Sequence, residues 1–79
     1  MSNEKFAAEE IYFIIEGEHD GGYVVWKKAF KSQREAQDAV HGRIRILGKS
    51  SFEKFQEHGG NEWSNGVVYL HIETLELGN

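Results

Sequence analysis

Two segments rich in β-branched and aromatic residues flank the turn sequence HDGG. Ile11–Glu18 and Tyr23–Phe30 have the composition that is typical of strands, and Asp20 with the two glycines that follow it favours a tight turn. The sequence therefore predicts a β-hairpin. Because the run IYFII is apolar at every position, neither face of the first strand favours water, and we expect this strand at the centre of a sheet.

A capping box predicts where the main helix begins. Ser32 and Glu35 have the spacing at which the serine oxygen accepts a hydrogen bond from the backbone amide three residues later. Apolar residues then recur every three or four positions and form one stripe. The members of this stripe are Ala36, Ala39, Val40, Ile44 and Leu47. The pattern predicts a helix over 32–47.

A second, shorter helix is predicted over 51–58. Ser50 and Glu53 repeat the capping-box spacing, and two phenylalanines share one helical face. The pair Gly59-Gly60 then suits the left-handed conformation that ends many helices. The chain returns to the sheet through a last strand, Val67–Leu77, which follows Asn65-Gly66.

These elements predict an α+β fold: a small two-layer ββααβ domain with a three-stranded antiparallel or mixed sheet. The long crossover favours the order 2-1-3, in which the third strand pairs with the first, packed on one main helix and the short second helix. The chain has 79 residues, which suits a single domain over 1–79. We expect residues 1–9 and 78–79 to be loose tails.

One main helix covers only one face of such a sheet. We expect Ile11, Phe13 and Ile15 to lie beneath the helix, because these side chains alternate along one face of the strand. The opposite face would then present an apolar and aromatic patch, and such a patch usually marks an interaction site. This patch is drawn from Tyr12, Ile14, Tyr69 and His71, with one face of the second strand. In the alternative arrangement, the short helix, Trp63 and the N-terminal segment fold over it.

No pattern in the chain indicates a cofactor, a metal site or an enzyme. The chain has no cysteine, and the four histidines lie on different elements without ligand spacing, so His19 and Asp20 are interpreted as turn residues. The pairs Glu16 with Glu18 and His71 with Glu73 each point the same way along a strand and are candidates for acid–base chemistry. No phosphate-binding loop, nucleophile elbow or zinc-binding helix accompanies them. We therefore expect a non-enzymatic protein.

The distribution of charge bears on the partner. The net charge is −4, but residues 27–54 are basic and the segments on either side are acidic. We expect the aromatic patch to bind a partner, with the acidic residues Glu16, Glu18 and Glu73 at the rim of the contact surface. We expect this partner to be another protein, such as a nucleic-acid-binding host complex. A second copy of the chain, in a homodimer, is a further candidate partner.

Binding of single-stranded nucleic acid is the alternative function. Aromatic residues such as Tyr12 and Tyr69 beside Lys27 and Lys28 would stack bases and meet phosphates, although the sequence pI of about 5.5 is low for this class of protein. The longest apolar run is too short to span a bilayer, and no secretion signal is recognised, so we expect a cytoplasmic protein and no membrane partner.

In size, acidity and ββααβ layout the chain resembles phage-encoded inhibitors, among them anti-CRISPR proteins. The resemblance implies a stoichiometric inhibitor or regulator. It rests on size and layout and transfers no site residue.

Overall fold

The computed structural model describes residues 9–49 and 54–77. Within these two ranges the chain forms a five-stranded sheet and one helix, and every pair of neighbouring strands is antiparallel. The order across the sheet is β2-β1-β5-β4-β3. The elements are β1 (Glu9–Glu18), β2 (Tyr23–Phe30), α1 (Gln33–Leu47), β3 (Gln56–His58), β4 (Glu62–Ser64) and β5 (Val68–Leu77). Among the helices so described, none is long and apolar enough to cross a membrane.

The predicted α+β fold with three strands and a second helix is wrong, because the protein is mostly antiparallel sheet with a single described helix. Residues Gln56–His58, predicted to end the second helix, form β3 and pair with β4. Gly59 and Gly60 have φ values of 73° and 83°, and they turn the chain between these two strands instead of ending a helix. Residues 51–53 of the predicted helix and the predicted tails at 1–8 and 78–79 lie outside the described residues, while Glu9 begins β1.

The predicted main helix is confirmed. α1 spans Gln33–Leu47, and the side-chain oxygen of Ser32 accepts a hydrogen bond of 3.1 Å from the backbone amide of Glu35. The hairpin of β1 and β2 is also present, and β1 lies between β2 and the last strand, β5. Helix α1 and this hairpin follow from local capping and turn residues. They are therefore present although the sheet has two more strands than predicted.

Helix α1 covers one face of the sheet through Ala36 and Val40, both of which are fully buried. These residues belong to one core cluster with side chains from four of the five strands or their ends. The strand residues of this core are Ile14, Phe30, Trp63, Leu70 and Ile72. The helix therefore packs on the face of β1 that carries Ile14.

This face is the opposite of the one predicted for β1. Ile11, Phe13 and Ile15, predicted beneath the helix, lie on the other side of β1, and Ile14, predicted on that other side, is 0% exposed. The reason lies in the register with β5, where Ile14 pairs with Ile72. Cross-strand partners share a face, so the strand with the clearer alternation, β5, decides which side of β1 is buried.

Close packing of two strands is visible at Gly17, which pairs with Tyr69 across β1 and β5. A Cβ atom added at Gly17 would lie 2.5 Å from the Tyr69 hydroxyl oxygen and 2.9 Å from the Tyr23 Cβ atom. The tyrosine ring can swing away, but the Tyr23 Cβ atom is fixed to its strand. Gly17 is therefore required because it lets the Tyr69 ring lie over the backbone.

We expect Gly17→Ala to lower the free energy of unfolding by about 1–3 kcal/mol, because the extra methyl group overpacks this contact. Gly22→Ala is the matched control, since no atom lies within 4 Å of its added Cβ and its φ is outside the left-handed region. That variant should be neutral or stabilised by about 0.4–1 kcal/mol. Urea unfolding of both variants is the measurement, and equal stability of the two would contradict the described packing of Tyr69 on Gly17.

Candidate functional site: the open face of the sheet

The face of the sheet opposite α1 is the candidate site, and we call it the open face. Its members follow from cross-strand pairing, because residues that oppose each other in neighbouring strands point to the same side. Val25, Ile15, His71, Glu62 and His58 form one such row across all five strands. The open face consists of Glu9, Ile11, Phe13, Ile15, Gly17, Tyr23, Val25, Ala29, Gln56, His58, Glu62, Ser64, Tyr69, His71, Glu73, Leu75 and Leu77.

One half of the open face is apolar. Tyr23 on β2 is 61% exposed, and Val25 on β2 and Leu75 on β5 are each 50% exposed. Between them, the half-buried side chains of Phe13 and Ile15 on β1 complete a continuous surface. Single exposed apolar residues are ordinary, whereas a contiguous apolar group on one sheet face makes this face the candidate for an interaction surface.

The other half of the open face is polar and centred on His71. The His71 Nε2 atom lies 2.7 Å from a carboxylate oxygen of Glu73, and its Nδ1 atom lies 3.5 Å from one of Glu62. On β3, the His58 ring nitrogen lies 3.3 Å from the Ser64 hydroxyl oxygen. Acidic and imidazole groups therefore border the apolar half.

The structure brings three of the predicted partner-binding residues together. Tyr69, His71 and Glu73 lie on the open face, at successive same-side positions of β5. Glu18 is exposed at the end of β1, where its backbone carbonyl accepts a hydrogen bond from the amide of Gly21 in the turn. The remaining predicted residues, Tyr12, Ile14 and Glu16, lie on the helix side of the sheet.

Tyr12 and Ile14 both make contacts within the protein on the helix side of the sheet. Ile14 is in the core, and Tyr12 packs against the core while its hydroxyl group donates a hydrogen bond of 3.0 Å to Glu10. That hydrogen bond to a carboxylate raises the pKa of Tyr12 above its ordinary value. The placement of these two residues on the same face as Tyr69 is therefore wrong, and Phe13 and Ile15 take their places.

Glu16 is engaged by two neighbours on the helix side. Arg43 of α1 donates hydrogen bonds of 3.0 Å and 2.9 Å to its two oxygens, and the Trp26 indole donates one of 3.2 Å. The hydrogen bond with Glu16 also raises the pKa of Arg43. With only 16% of its side chain exposed, the Glu16 carboxylate links α1 to β1 and β2.

The acid and histidine groups do not converge on a common point. Glu62 and Glu73 approach opposite nitrogens of the His71 ring, so the two carboxylates are separated by the imidazole. Throughout residues 9–49 and 54–77, no group of three or more histidine and acidic side chains is placed to hold a metal ion. His19 and Asp20 lie in the turn between β1 and β2, as predicted, and that they bind no metal stays a prediction.

Comparison with known proteins gives no assignment, since no protein-family model, curated protein or solved structure matches the chain. The resemblance to phage-encoded inhibitors also loses its basis in layout, because the ββααβ arrangement is not the one observed. The exposure, charge and contacts of the open face are therefore the features of the molecule that bear on its function.

Proposed function

We propose that this protein is a non-enzymatic protein-binding module whose partner contacts the open face. The observation that supports this most is the exposed apolar half, formed by Phe13, Ile15, Tyr23, Val25 and Leu75. Burial of such a surface is the main favourable contribution to most protein–protein associations. A stoichiometric inhibitor or regulator acting in the cytoplasm is the form of this function that we propose.

The charge of the open face favours a partner with basic residues around an apolar centre. Its acidic members are Glu9, Glu62 and Glu73, whereas none of its members is lysine or arginine, and Lys54 borders it beside Gln56 and His58. Two copies that met through this face would place acidic groups opposite acidic groups, which opposes that arrangement. A different protein with lysine or arginine at the rim of its contact surface would have complementary charge.

The arrangement of His71 supports binding rather than catalysis. Each of its ring nitrogens faces a carboxylate oxygen of the same protein, from Glu62 or from Glu73. A general acid or base needs one atom within hydrogen-bond reach of the substrate. The proposed role of this cluster is to fix the acidic border of the open face through cross-strand contacts.

The nucleic-acid alternative is less well supported, because the aromatic residues of the open face lie on the other side of the sheet from Lys27 and Lys28. Phe13, Tyr23 and Tyr69 share the open face with glutamates. Lys27 and Lys28 instead line a groove on the helix side, together with Trp26 and Arg43. A strand of nucleic acid stacked on the apolar half of the open face would meet carboxylates, and the described lysine that borders this face, Lys54, lies at its β3 end beside Gln56 and His58, which opposes phosphate binding along the face.

Selection from a displayed library of random peptides tests the proposed function. We expect the enriched peptides to combine aromatic or aliphatic residues with lysine or arginine. Phe13→Glu should weaken their binding at least about tenfold, because it places a charge in the apolar half of the contact surface. Glu73→Lys should also weaken binding, and this effect should fade at high salt, since exposed charges are screened over about 10 Å at 0.1 M salt.

Arg34→Glu is the matched control, because Arg34 is exposed on α1, away from the open face, and should leave peptide binding unchanged. Thermal unfolding of each variant shows whether the fold is kept. Enrichment of peptides that bind Phe13→Glu as well as the wild type would reject the open face as the interface. A fluorescent single-stranded oligonucleotide that binds at physiological salt, and is released by Lys27→Glu with Lys28→Glu, would establish the nucleic-acid alternative.

A further inference from the structure

Strand β2 is exposed on both of its faces as well as at its free edge. It lies at one end of the strand order, and within residues 9–49 and 54–77 its only neighbouring strand is β1. Tyr23 and Val25 are exposed on the open face, and Val24, on the helix side, is 62% exposed. An edge strand with β-branched and aromatic residues exposed on both faces is a template for pairing with another strand.

The unpaired backbone groups of this edge can be identified from the hairpin. The amide of Glu18 donates a hydrogen bond of 3.1 Å to the carbonyl of Gly22, so the Gly22 carbonyl points toward β1. Along a strand, successive residues direct their backbone groups to alternate sides. The amide and carbonyl groups of Val24 therefore point toward β1, while those of Tyr23 and Val25 point toward the free edge.

We propose that two copies of the protein pair through β2, antiparallel, about a two-fold axis at Val24. Tyr23 of each copy then opposes Val25 of the other, which gives two symmetry-equivalent pairs. In each pair, the amide and carbonyl groups that point toward the free edge form two hydrogen bonds. Both residues lie on the open face, so each pair is also an aromatic and β-branched cross-strand contact. The two five-stranded sheets become one continuous sheet.

Charge complementarity identifies a second copy as the occupant of this edge. One end of β2 adjoins the acidic hairpin tip, with Glu18 and Asp20, and the other end carries Lys27 and Lys28. Because the second β2 runs in the opposite direction, the acidic tip of each copy lies toward the lysines of the other. Both contacts are attractive, and the two-fold symmetry makes them identical.

The position of the two-fold axis follows from the sheet face on which each residue lies and from the register of β2 with β1. An axis perpendicular to the sheet keeps each side chain on its own side, so only residues of the same face can oppose each other. Tyr23, Val24 and Val25 pair regularly with β1, whereas the register shifts beyond Val25. The regular segment is therefore centred on Val24. The irregularity and the lysines beyond it limit pairing to this segment. Because the contact is two-fold symmetric and uses the β2 edge of both copies, the dimer closes and does not extend into a fibre through this edge.

Sedimentation velocity of the full chain, with charge-swapped variants, tests the dimer. We expect the wild type to sediment as a dimer. The variants Lys27→Glu with Lys28→Glu, and Glu18→Lys with Asp20→Lys, should each associate at least about tenfold more weakly, because like charges then face each other in both contacts. An equimolar mixture of the two variants should form heterodimers, seen by native mass spectrometry, since opposite charges again meet at both positions.

Two outcomes would overturn the proposal: a wild type that stays monomeric across a wide concentration range, or a dimer that neither charge swap weakens. If Phe13→Glu abolishes the dimer while the charge swaps do not, two copies meet through the open face instead. The dimer does not depend on the proposed function. Phe13→Glu should lose peptide binding and keep the dimer, and the charge-swapped variants should lose the dimer and keep peptide binding.

Discussion

Replacing Trp63 with alanine should lower the free energy of unfolding by about 3–5 kcal/mol, the range typical of a large aromatic residue removed from a core. Trp63 lies on β4 and is 3% exposed. It pairs with Leu70 of β5, and its ring meets the ring of His41 of α1 edge-on, with the ring centroids 5.7 Å apart. Its truncation therefore leaves a cavity between the helix and the two short strands.

Urea unfolding followed by far-UV circular dichroism measures this change. Ile46→Ala is the matched control, since Ile46 is an apolar residue of α1 that is 58% exposed, and the variant should stay within about 0.5 kcal/mol of the wild type. A loss of less than about 1 kcal/mol for Trp63→Ala would contradict the account. Trp63 would then lie outside the core, as in the alternative in which it folds over the open face.

The parts of the fold that local chemistry specifies could be predicted from the sequence. The serine cap at Ser32 and the apolar stripe that follows it act within one helix, so α1 begins one residue after the cap and ends at Leu47. The sequence HDGG likewise acts within one turn, and it joins β1 to β2. In both cases the residues that decide the structure are neighbours in the chain.

The second helix was predicted wrongly because a local pattern was outweighed by distant pairing. Ser50 and Glu53 have the capping spacing, but Gln56–His58 pairs with β4. That hairpin places Trp63 against α1, and burial of a tryptophan contributes more than a helix cap does. The residues 51–58 alone could not predict this arrangement, because Trp63 and the helix that it contacts are elsewhere in the chain.

The open face was predicted correctly on β5 and incorrectly on β1 for a related reason. β5 alternates between apolar and polar residues, so the side that carries Tyr69 and His71 could be recognised. β1 is apolar at every position from Ile11 to Ile15, so it has no alternation that could indicate which side is buried. The missing signal was the pairing of Ile14 with Ile72, which only the register of the sheet supplies.

We therefore expect opposite effects from a lysine at two adjacent residues, Ile14 and Ile15. Ile14→Lys should prevent folding, because an unpaired charge in the core costs several kcal/mol, against a total stability of about 5–15 kcal/mol for a natural domain. Ile15→Lys should leave the chain folded, since its side chain lies on the open face and reaches water. It should also abolish binding of the selected peptides, because it places a charge in the apolar half of that face.

Thermal unfolding of these two variants, with peptide binding measured on the folded one, tests the central claim most directly. We expect no cooperative transition for Ile14→Lys, and a cooperative transition without peptide binding for Ile15→Lys. A folded Ile14→Lys beside an unfolded Ile15→Lys would show that the helix covers the other face of β1. An Ile15→Lys variant that folds and binds the peptides like the wild type would show that the open face is not the interface.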